Sequence, residues 1–128
     1  MEIMSISIDD ETLDNLNSIQ KSLGFKSRSK MLRNAIASMI NDYRSIDSLK
    51  GNVNIIFVLT YKEPNKNKVS NILHKFGDAI KTELHQHDYG ICIDILNLSA
   101  EATRIQEIYS ILKKNKSIDS TTYVIVKL

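Results

Sequence analysis

The chain has 128 residues, of which 42% are hydrophobic and 25% charged, and its formal net charge is +2. This apolar content is enough to bury a core, and the lack of long like-charge blocks argues against a disordered tail or a polybasic arm. No apolar run reaches transmembrane length, no secretory leader is present, and a single cysteine cannot form an internal disulfide. We therefore expect a globular cytoplasmic protein of one or two domains, without a membrane partner.

Residues 1–45 predict a strand followed by two helices. The segment MEIMSISI at residues 1–8 alternates with the period of a half-buried strand. The first helix is expected to end at Gly24, and the second to be capped by Ser27 or Ser29. A module of this size is too small to build a core alone, so we expect its strand to pair with a second copy in a homodimer. That arrangement is the ribbon-helix-helix DNA-binding fold.

The remainder of the chain predicts a second domain. Residues 46–52 are polar, contain Gly51 and are expected to form a linker. Residues 53–128 follow the order βαββαβ, in which KVSNILHKFGDAI at residues 68–80 is the first helix. This order is typical of the ferredoxin-like fold, an antiparallel sheet with both helices on one face. The predicted fold class of the whole chain is therefore α+β.

The predicted hairpin LHQHDYGICID, residues 84–94, holds two of the three histidines and the only cysteine. A two-residue turn at residues 89–90 would place His87 directly opposite Cys92, with their Cβ atoms about 5 Å apart. His85 has the same parity as His87 and would point to the same side. Three donor side chains are thus expected on one face of the hairpin.

These donors suggest a metal site. Two imidazoles and a thiolate suit Ni(II), Co(II), Cu(II) or Zn(II), and they suit Mg(II) and Ca(II) poorly. A fourth ligand could be His74 of another chain, if its helix lies at a subunit interface, and Asp94, opposite His85, could orient that imidazole. The alternative is that Cys92 is a small buried hydrophobe and the histidines are only solvated.

A ribbon-helix-helix module joined to a βαββαβ module with the histidines and cysteine at these spacings resembles the nickel-responsive transcriptional regulator family. The resemblance covers nearly the whole chain. It implies an N-terminal DNA-binding dimer, a homotetrameric core of four ACT-type C-terminal domains, and a planar Ni(II) site. The ligands it implies are His85, His87 and Cys92 from one subunit and His74 from another.

Three features depart from the family pattern. The segment between His87 and Cys92 is one residue shorter than is usual in the family, which could alter metal preference or affinity. Lys30 and Asn34 stand where many members have carboxylates that hold a cation near the DNA, and the Lys30 ammonium could replace that cation. Ile3 stands where an arginine is common, so we expect weaker or differently directed base specificity.

The paired strands of this fold enter the DNA major groove, so the outward side chains of residues 1–8 would meet base edges. These candidate base contacts are Ile3, Ser5 and Ser7. Basic and hydroxyl side chains between the two helices, beside a helix N-terminus, would bind phosphates without distinguishing sequence. These candidate phosphate contacts are Lys26, Ser27, Arg28, Ser29, Lys30 and Arg33.

The predicted function is a metal-dependent repressor, with nickel as the expected metal and a palindromic operator as the expected partner. One alternative is a regulator that binds an amino acid or another small molecule at the ACT-type interfaces. A second is an antitoxin, although the patterning of residues 53–128 is that of a folded domain. An enzyme is not expected, because no nucleophile and base are set beside the histidine cluster.

Overall fold

The computed structural model describes residues 1–127 and confirms the α+β fold class. The chain forms two compact units, one ending at Arg44 and the other beginning at Ser45. Two helices, α1 (Asp10–Leu23) and α2 (Arg28–Asp47), follow the N-terminal segment. Within residues 1–127, no helix is both long enough and apolar enough to cross a membrane.

The ends of the first two helices are set by local side-chain chemistry. Asp9 caps α1, because its carboxylate accepts a hydrogen bond of 2.7 Å from the backbone N–H of Thr12. Gly24, with φ of 71°, ends α1 in the left-handed conformation that glycine adopts without strain. The Ser27 hydroxyl caps α2 by accepting from the backbone N–H of Lys30 at 3.1 Å. The predicted helix ends are confirmed.

The predicted N-terminal strand is not formed in the single chain. Residues 1–9 belong to no helix or strand, and the apolar side chains of Met4, Ile6 and Ile8 are exposed. A strand exists only where its N–H and C=O groups pair with a neighbour. Residues 1–9 have no such neighbour in the single chain, so the strand predicted there is absent, and its pairing with a second copy stays a prediction.

The second unit is a four-stranded antiparallel sheet with the strand order β2-β3-β1-β4. This order, with a helix after β1 and another after β3, confirms the ferredoxin-like βαββαβ fold. A short 3₁₀ turn, Glu63–Asn65, joins β1 to the following helix. The elements are β1 (Asn52–Lys62), α3 (Lys66–His74), β2 (Ile80–Asp88), β3 (Ile91–Glu101), α4 (Ala102–Lys114) and β4 (Ser120–Lys127).

The core of this unit lies between one face of the sheet and the two helices. Alternate residues of β1 are buried and the residues between them are partly exposed, which is the period-2 pattern of a sheet covered on one side. The same alternation continues in β3. Fully buried members of the core include Ile55, Phe57, Leu59, Val69, Ala79, Cys92, Leu96, Leu98, Ile105, Ile108 and Leu112.

The helix predicted over residues 68–80 ends earlier, at His74. Beyond it, backbone bonds such as Phe76 N–H to Leu73 O at 3.0 Å and Ala79 N–H to Phe76 O at 2.9 Å form tight turns. Phe76 and Ala79 are buried in the core. Both side chains reach the core through these turns, before β2 begins at Ile80.

The expected linker, residues 46–52, packs on the second unit. Ile46 and Leu49 are buried in its core cluster. The Gln106 side-chain amide of α4 donates to the backbone carbonyls of Ile46 and Asp47, both at 3.1 Å. The polar composition of residues 46–52 suggested a linker, but two of its side chains pack in the core and its backbone is hydrogen-bonded to α4.

Core packing predicts that two isoleucines of α4 contribute unequally to the free energy of unfolding. Ile105→Ala should lower the free energy of unfolding by about 2–5 kcal/mol, because it removes three buried carbons from a fully enclosed position. Ile111→Ala makes the same chemical change at a residue that is 39% exposed, and should cost less than about 1 kcal/mol. Urea unfolding followed by circular dichroism measures both, and equal losses would contradict the observed packing.

Candidate metal centre

The hairpin that joins β2 to β3 has the register predicted from the sequence. His87 pairs with Cys92 and His85 pairs with Asp94. The turn residues Tyr89 and Gly90 have φ of 48° and 79°. Two positive φ values are the requirement of the tight primed turns that suit twisted hairpins. Tyr89 therefore adopts a backbone conformation that residues with a side chain disfavour.

The four paired residues lie on one face of the sheet, the face that the helices cover. Opposed residues of an antiparallel pair share a face, and Cys92 and Asp94 alternate in step with the buried leucines of β3. Cys92 is fully buried and Asp94 is 2% exposed. The side chains of His85 and His87 are 32% and 45% exposed, because β2 is an edge strand. The thiol is thus buried in the core, whereas the two imidazoles are partly exposed at the edge of the sheet.

A hydrogen-bond network around Asp94 holds His85. Asp94 Oδ1 accepts a hydrogen bond from His85 Nδ1 at 2.5 Å, and Asp94 Oδ2 accepts one from the Tyr61 hydroxyl at 2.7 Å. His85 Nδ1 is therefore engaged, and its Nε2 is the nitrogen left for a ligand interaction. The contact predicted between Asp94 and His85 is thus present, and its role beside a metal stays a prediction.

Tyr61 is a member of this network that the sequence analysis missed. It comes from β1, where it pairs with Cys92 and lies diagonally across from Asp94. Burial, and next its hydrogen bond to Asp94, raise the pKa of the Tyr61 phenol well above its usual range, so the hydroxyl remains a donor. The available signal was a tyrosine at a core position of a strand, where its hydroxyl needs a polar partner.

The environment of Cys92 disfavours the thiolate form of its side chain. Burial raises the pKa of the thiol, and the Glu63 carboxylate raises it further, while Lys66 acts in the opposite direction. A thiol must lose its proton to become a metal ligand. A metal bound here would therefore take the place of that proton.

Glu63 is the second residue that the sequence analysis missed. Its Oε2 lies 3.0 Å from His87 Nε2, and its backbone N–H donates to Gly90 O at 2.9 Å. The preceding residue, Lys62, pairs with Ile91 at the start of β3. The strand register therefore delivers Glu63 to the hairpin turn, a long-range placement that sequence spacing does not disclose.

His74 is exposed at the last position of α3, and it is not gathered with the hairpin donors in a single chain. In the described part of the chain, no three or more His, Cys, Asp or Glu side chains are arranged to hold a metal ion. The donor types nevertheless fit a borderline-soft cation: one imidazole nitrogen is available on His85, and a thiol lies opposite His87. The donor types thus suit such a cation, but the single chain does not assemble them into a site within its described residues.

The predicted DNA contacts lie in the first unit. Every one of these residues is exposed, and Ile3 is 96% exposed. Arg28 donates to the Asn17 side chain at 3.0 Å, which ties the start of α2 to α1. The base candidates Ile3, Ser5 and Ser7 lie in the unpaired segment, and the phosphate candidates Lys26, Ser27, Arg28, Ser29, Lys30 and Arg33 lie at and after the α1–α2 turn.

Comparison with known families decides where the chain belongs. Residues 51–126, more than half of the chain and nearly all of the second unit, match the family described as the NikR C-terminal nickel binding domain. The chain belongs to the NikR family. The resemblance found in the sequence is confirmed, and the match agrees with the expectation of Ni(II) as the metal.

Relatives of this NikR-family chain extend the match toward its N-terminus. A "Putative nickel-responsive regulator" of Methanococcoides burtonii is 30% identical over 109 residues, covering 81% of this chain and 77% of that protein. A protein with the same name from Methanocaldococcus jannaschii is 28% identical over 123 residues, covering 92% and 86%. An uncharacterized protein of Thermotoga maritima shares the fold, with a TM-score of 0.54 and 18% identity over 59% of this chain and 99% of the other.

The network at Asp94 predicts a stability difference between two tyrosines. Tyr61→Phe leaves Asp94 Oδ2 without its phenol donor inside the protein, and should lower the free energy of unfolding by about 1–3 kcal/mol. Tyr89→Phe removes the same hydroxyl from a residue that is 97% exposed, and should have little effect. Urea unfolding of the metal-free proteins tests this, and a small loss in both variants would show that the buried contact is unimportant.

Proposed function

We propose that this protein is a transcriptional repressor whose binding to operator DNA is controlled by Ni(II). The observation that carries the proposal is the β2–β3 hairpin, which sets His85, His87 and Cys92 on one face in a chain of the NikR family. Imidazole and thiolate donors favour Ni(II) over hard cations such as Mg(II).

The proposed metal site is shared between subunits. His85, His87 and Cys92 would come from one chain and His74 from a neighbour, and a bound metal would link the two chains. Several features support this assignment: His85 Nε2 has no partner among residues 1–127, both hairpin histidines are partly exposed at the edge of the sheet, and His74 is exposed at the end of α3. Asp94 and Tyr61 would fix the orientation of His85.

The proposed DNA-binding element is a pair of N-terminal segments from two copies of the chain. Its support is the pattern of exposure in residues 1–8, where Met4, Ile6 and Ile8 are apolar side chains left in water. Pairing of two such segments would bury that side against the helices and leave Ile3, Ser5 and Ser7 outward, toward base edges. The exposed apolar residues of α1 and α2 that would join this dimer core are Ile19, Leu23, Ile36, Met39 and Ile40.

Contacts with the phosphate backbone of the DNA would come from the α1–α2 turn. The N-terminus of α2 offers free backbone N–H groups, and cationic side chains surround it, a combination that favours phosphate. A metal that links subunits would stabilise one arrangement of the DNA-binding dimers relative to each other. If the metal raises the affinity for operator DNA by some factor, bound operator DNA must raise the affinity for the metal by that factor.

The metal part of the proposal is tested by titrating metal-free protein with Ni(II) and recording ultraviolet–visible absorption. We expect a thiolate-to-nickel charge-transfer band that saturates near one metal per chain. Cys92→Ser should abolish the band and His87→Ala should weaken binding. Gln86→Ala, on the opposite face of the same strand, should leave it unchanged. A wild-type protein without such a band, or a band that survives Cys92→Ser, would refute the site.

The DNA part is tested with duplexes selected from a random pool in the presence of Ni(II). We expect recovery of a palindromic sequence whose binding is lost in chelator. Lys26→Ala should weaken binding of all sequences about equally and reduce the salt dependence by about one unit of slope, because one phosphate contact is removed. Lys68→Ala removes a similar exposed charge from α3 and should change neither quantity. Binding that is indifferent to Ni(II) would contradict the proposed control.

A further inference from the structure

Glu63 is a carboxylate beside the second hairpin histidine, outside the predicted ligand set. We propose that Glu63 is a positioning residue: it holds His87 through Nε2 and thereby presents Nδ1 of His87 as the metal-binding nitrogen. This inference rests on the proposed nickel site. It assigns a role to the 3.0 Å contact between Glu63 Oε2 and His87 Nε2 that the donor pattern of the hairpin does not explain.

The backbone of Glu63 is held in place although its side chain is 56% exposed. Its N–H donates to Gly90 O, the carbonyl of the hairpin turn, at 2.9 Å. Glu63 also opens the 3₁₀ turn that follows β1, and the proline at residue 64 restricts the backbone there. A surface ion pair between two freely moving chains contributes little, but here both partners start from backbone that is hydrogen-bonded to the same hairpin.

The contacts of the two histidines are complementary. Asp94 engages Nδ1 of His85 and leaves Nε2 available, whereas Glu63 engages Nε2 of His87 and leaves Nδ1 available. Metal-binding histidines commonly donate their second ring N–H to a carboxylate, which fixes the tautomer and makes the ligand nitrogen more basic. Each hairpin histidine has such a carboxylate, one buried in the core and one at the surface.

The position of His87 favours Nδ1 as its ligand atom. His87 lies directly opposite Cys92, and opposed Cβ atoms in a sheet are about 5 Å apart. Nδ1 is the ring nitrogen nearer to Cβ, and it is the one that the Glu63 contact leaves available. Nε2 lies 3.0 Å from the Glu63 carboxylate. An ion held between the thiolate sulfur and Nδ1 would leave the Glu63 contact intact.

The experiment compares Ni(II) affinity in three full-length proteins at one pH, by competition with a chelator of known affinity. Glu63→Gln keeps the size of the side chain but removes its charge, and should weaken binding about tenfold, the lower end of the effect of such partners. The matched control is Asp88→Asn, which removes a carboxylate from the same hairpin on the opposite face of the sheet. The control should stay within about twofold of wild type.

A second measurement detects positioning without any metal. Nitrogen-15 NMR of the histidine rings at about pH 8, above the usual histidine pKa, reports which ring nitrogen carries the proton. We expect the Nε2–H tautomer for His87 in wild type and a mixture in Glu63→Gln, with the Nδ1–H tautomer of His85 unchanged in both. A purely structural role for Glu63 would not change the His87 tautomer alone.

The outcomes separate this inference from the proposed function. If wild type binds Ni(II) through Cys92 and Glu63→Gln binds equally well, the inference is wrong and the nickel site stands. Tighter binding by Glu63→Gln would also overturn it, since the carboxylate would then be competing with the metal for His87. If wild type binds no Ni(II), both proposals fail together.

Discussion

The register between β2 and β3 is the constraint on which the candidate site depends. Side chains alternate between the faces of a sheet, so a slip of one residue would move both histidines to the face that no helix covers. The turn at Tyr89 and Gly90 sets the register at one end, and the burial of Leu96 and Leu98 fixes which face of β3 meets the core. The pairing of β2 with β3 then places both histidines on that same face.

The buried carboxylate of Asp94 connects that core to the rim of the sheet. A carboxylate at 2% exposure is stable only when its oxygens accept hydrogen bonds, and Tyr61 and His85 supply them. One contact faces inward to β1 and the other outward to the edge strand. The orientation of His85 is therefore set from inside the protein, and a substitution in the core beneath Asp94 can disturb the site without touching a ligand.

Local chemistry made the hairpin, the helix caps and the βαββαβ order predictable, because each follows from periodicity or from a turn a few residues long. The parts that escaped prediction depend on distant contacts. Tyr61 and Glu63 reach the hairpin from β1 through strand pairing. Likewise, tight turns replace the helix after His74, and Ile46 and Leu49 are anchored by α4, some sixty residues later in the chain.

The unpaired N-terminal segment bears on how assembly of the first unit depends on the concentration of the protein. In the described part of the first unit, Met31 is the one buried apolar residue, while many others face water. If this unit folds by association with a second copy, as proposed, the fraction of chains competent to bind DNA would follow mass action. A cell holding few copies would possess mostly chains whose DNA-binding surface has not assembled. Expression level would then set a threshold for regulation, in addition to any set by an effector.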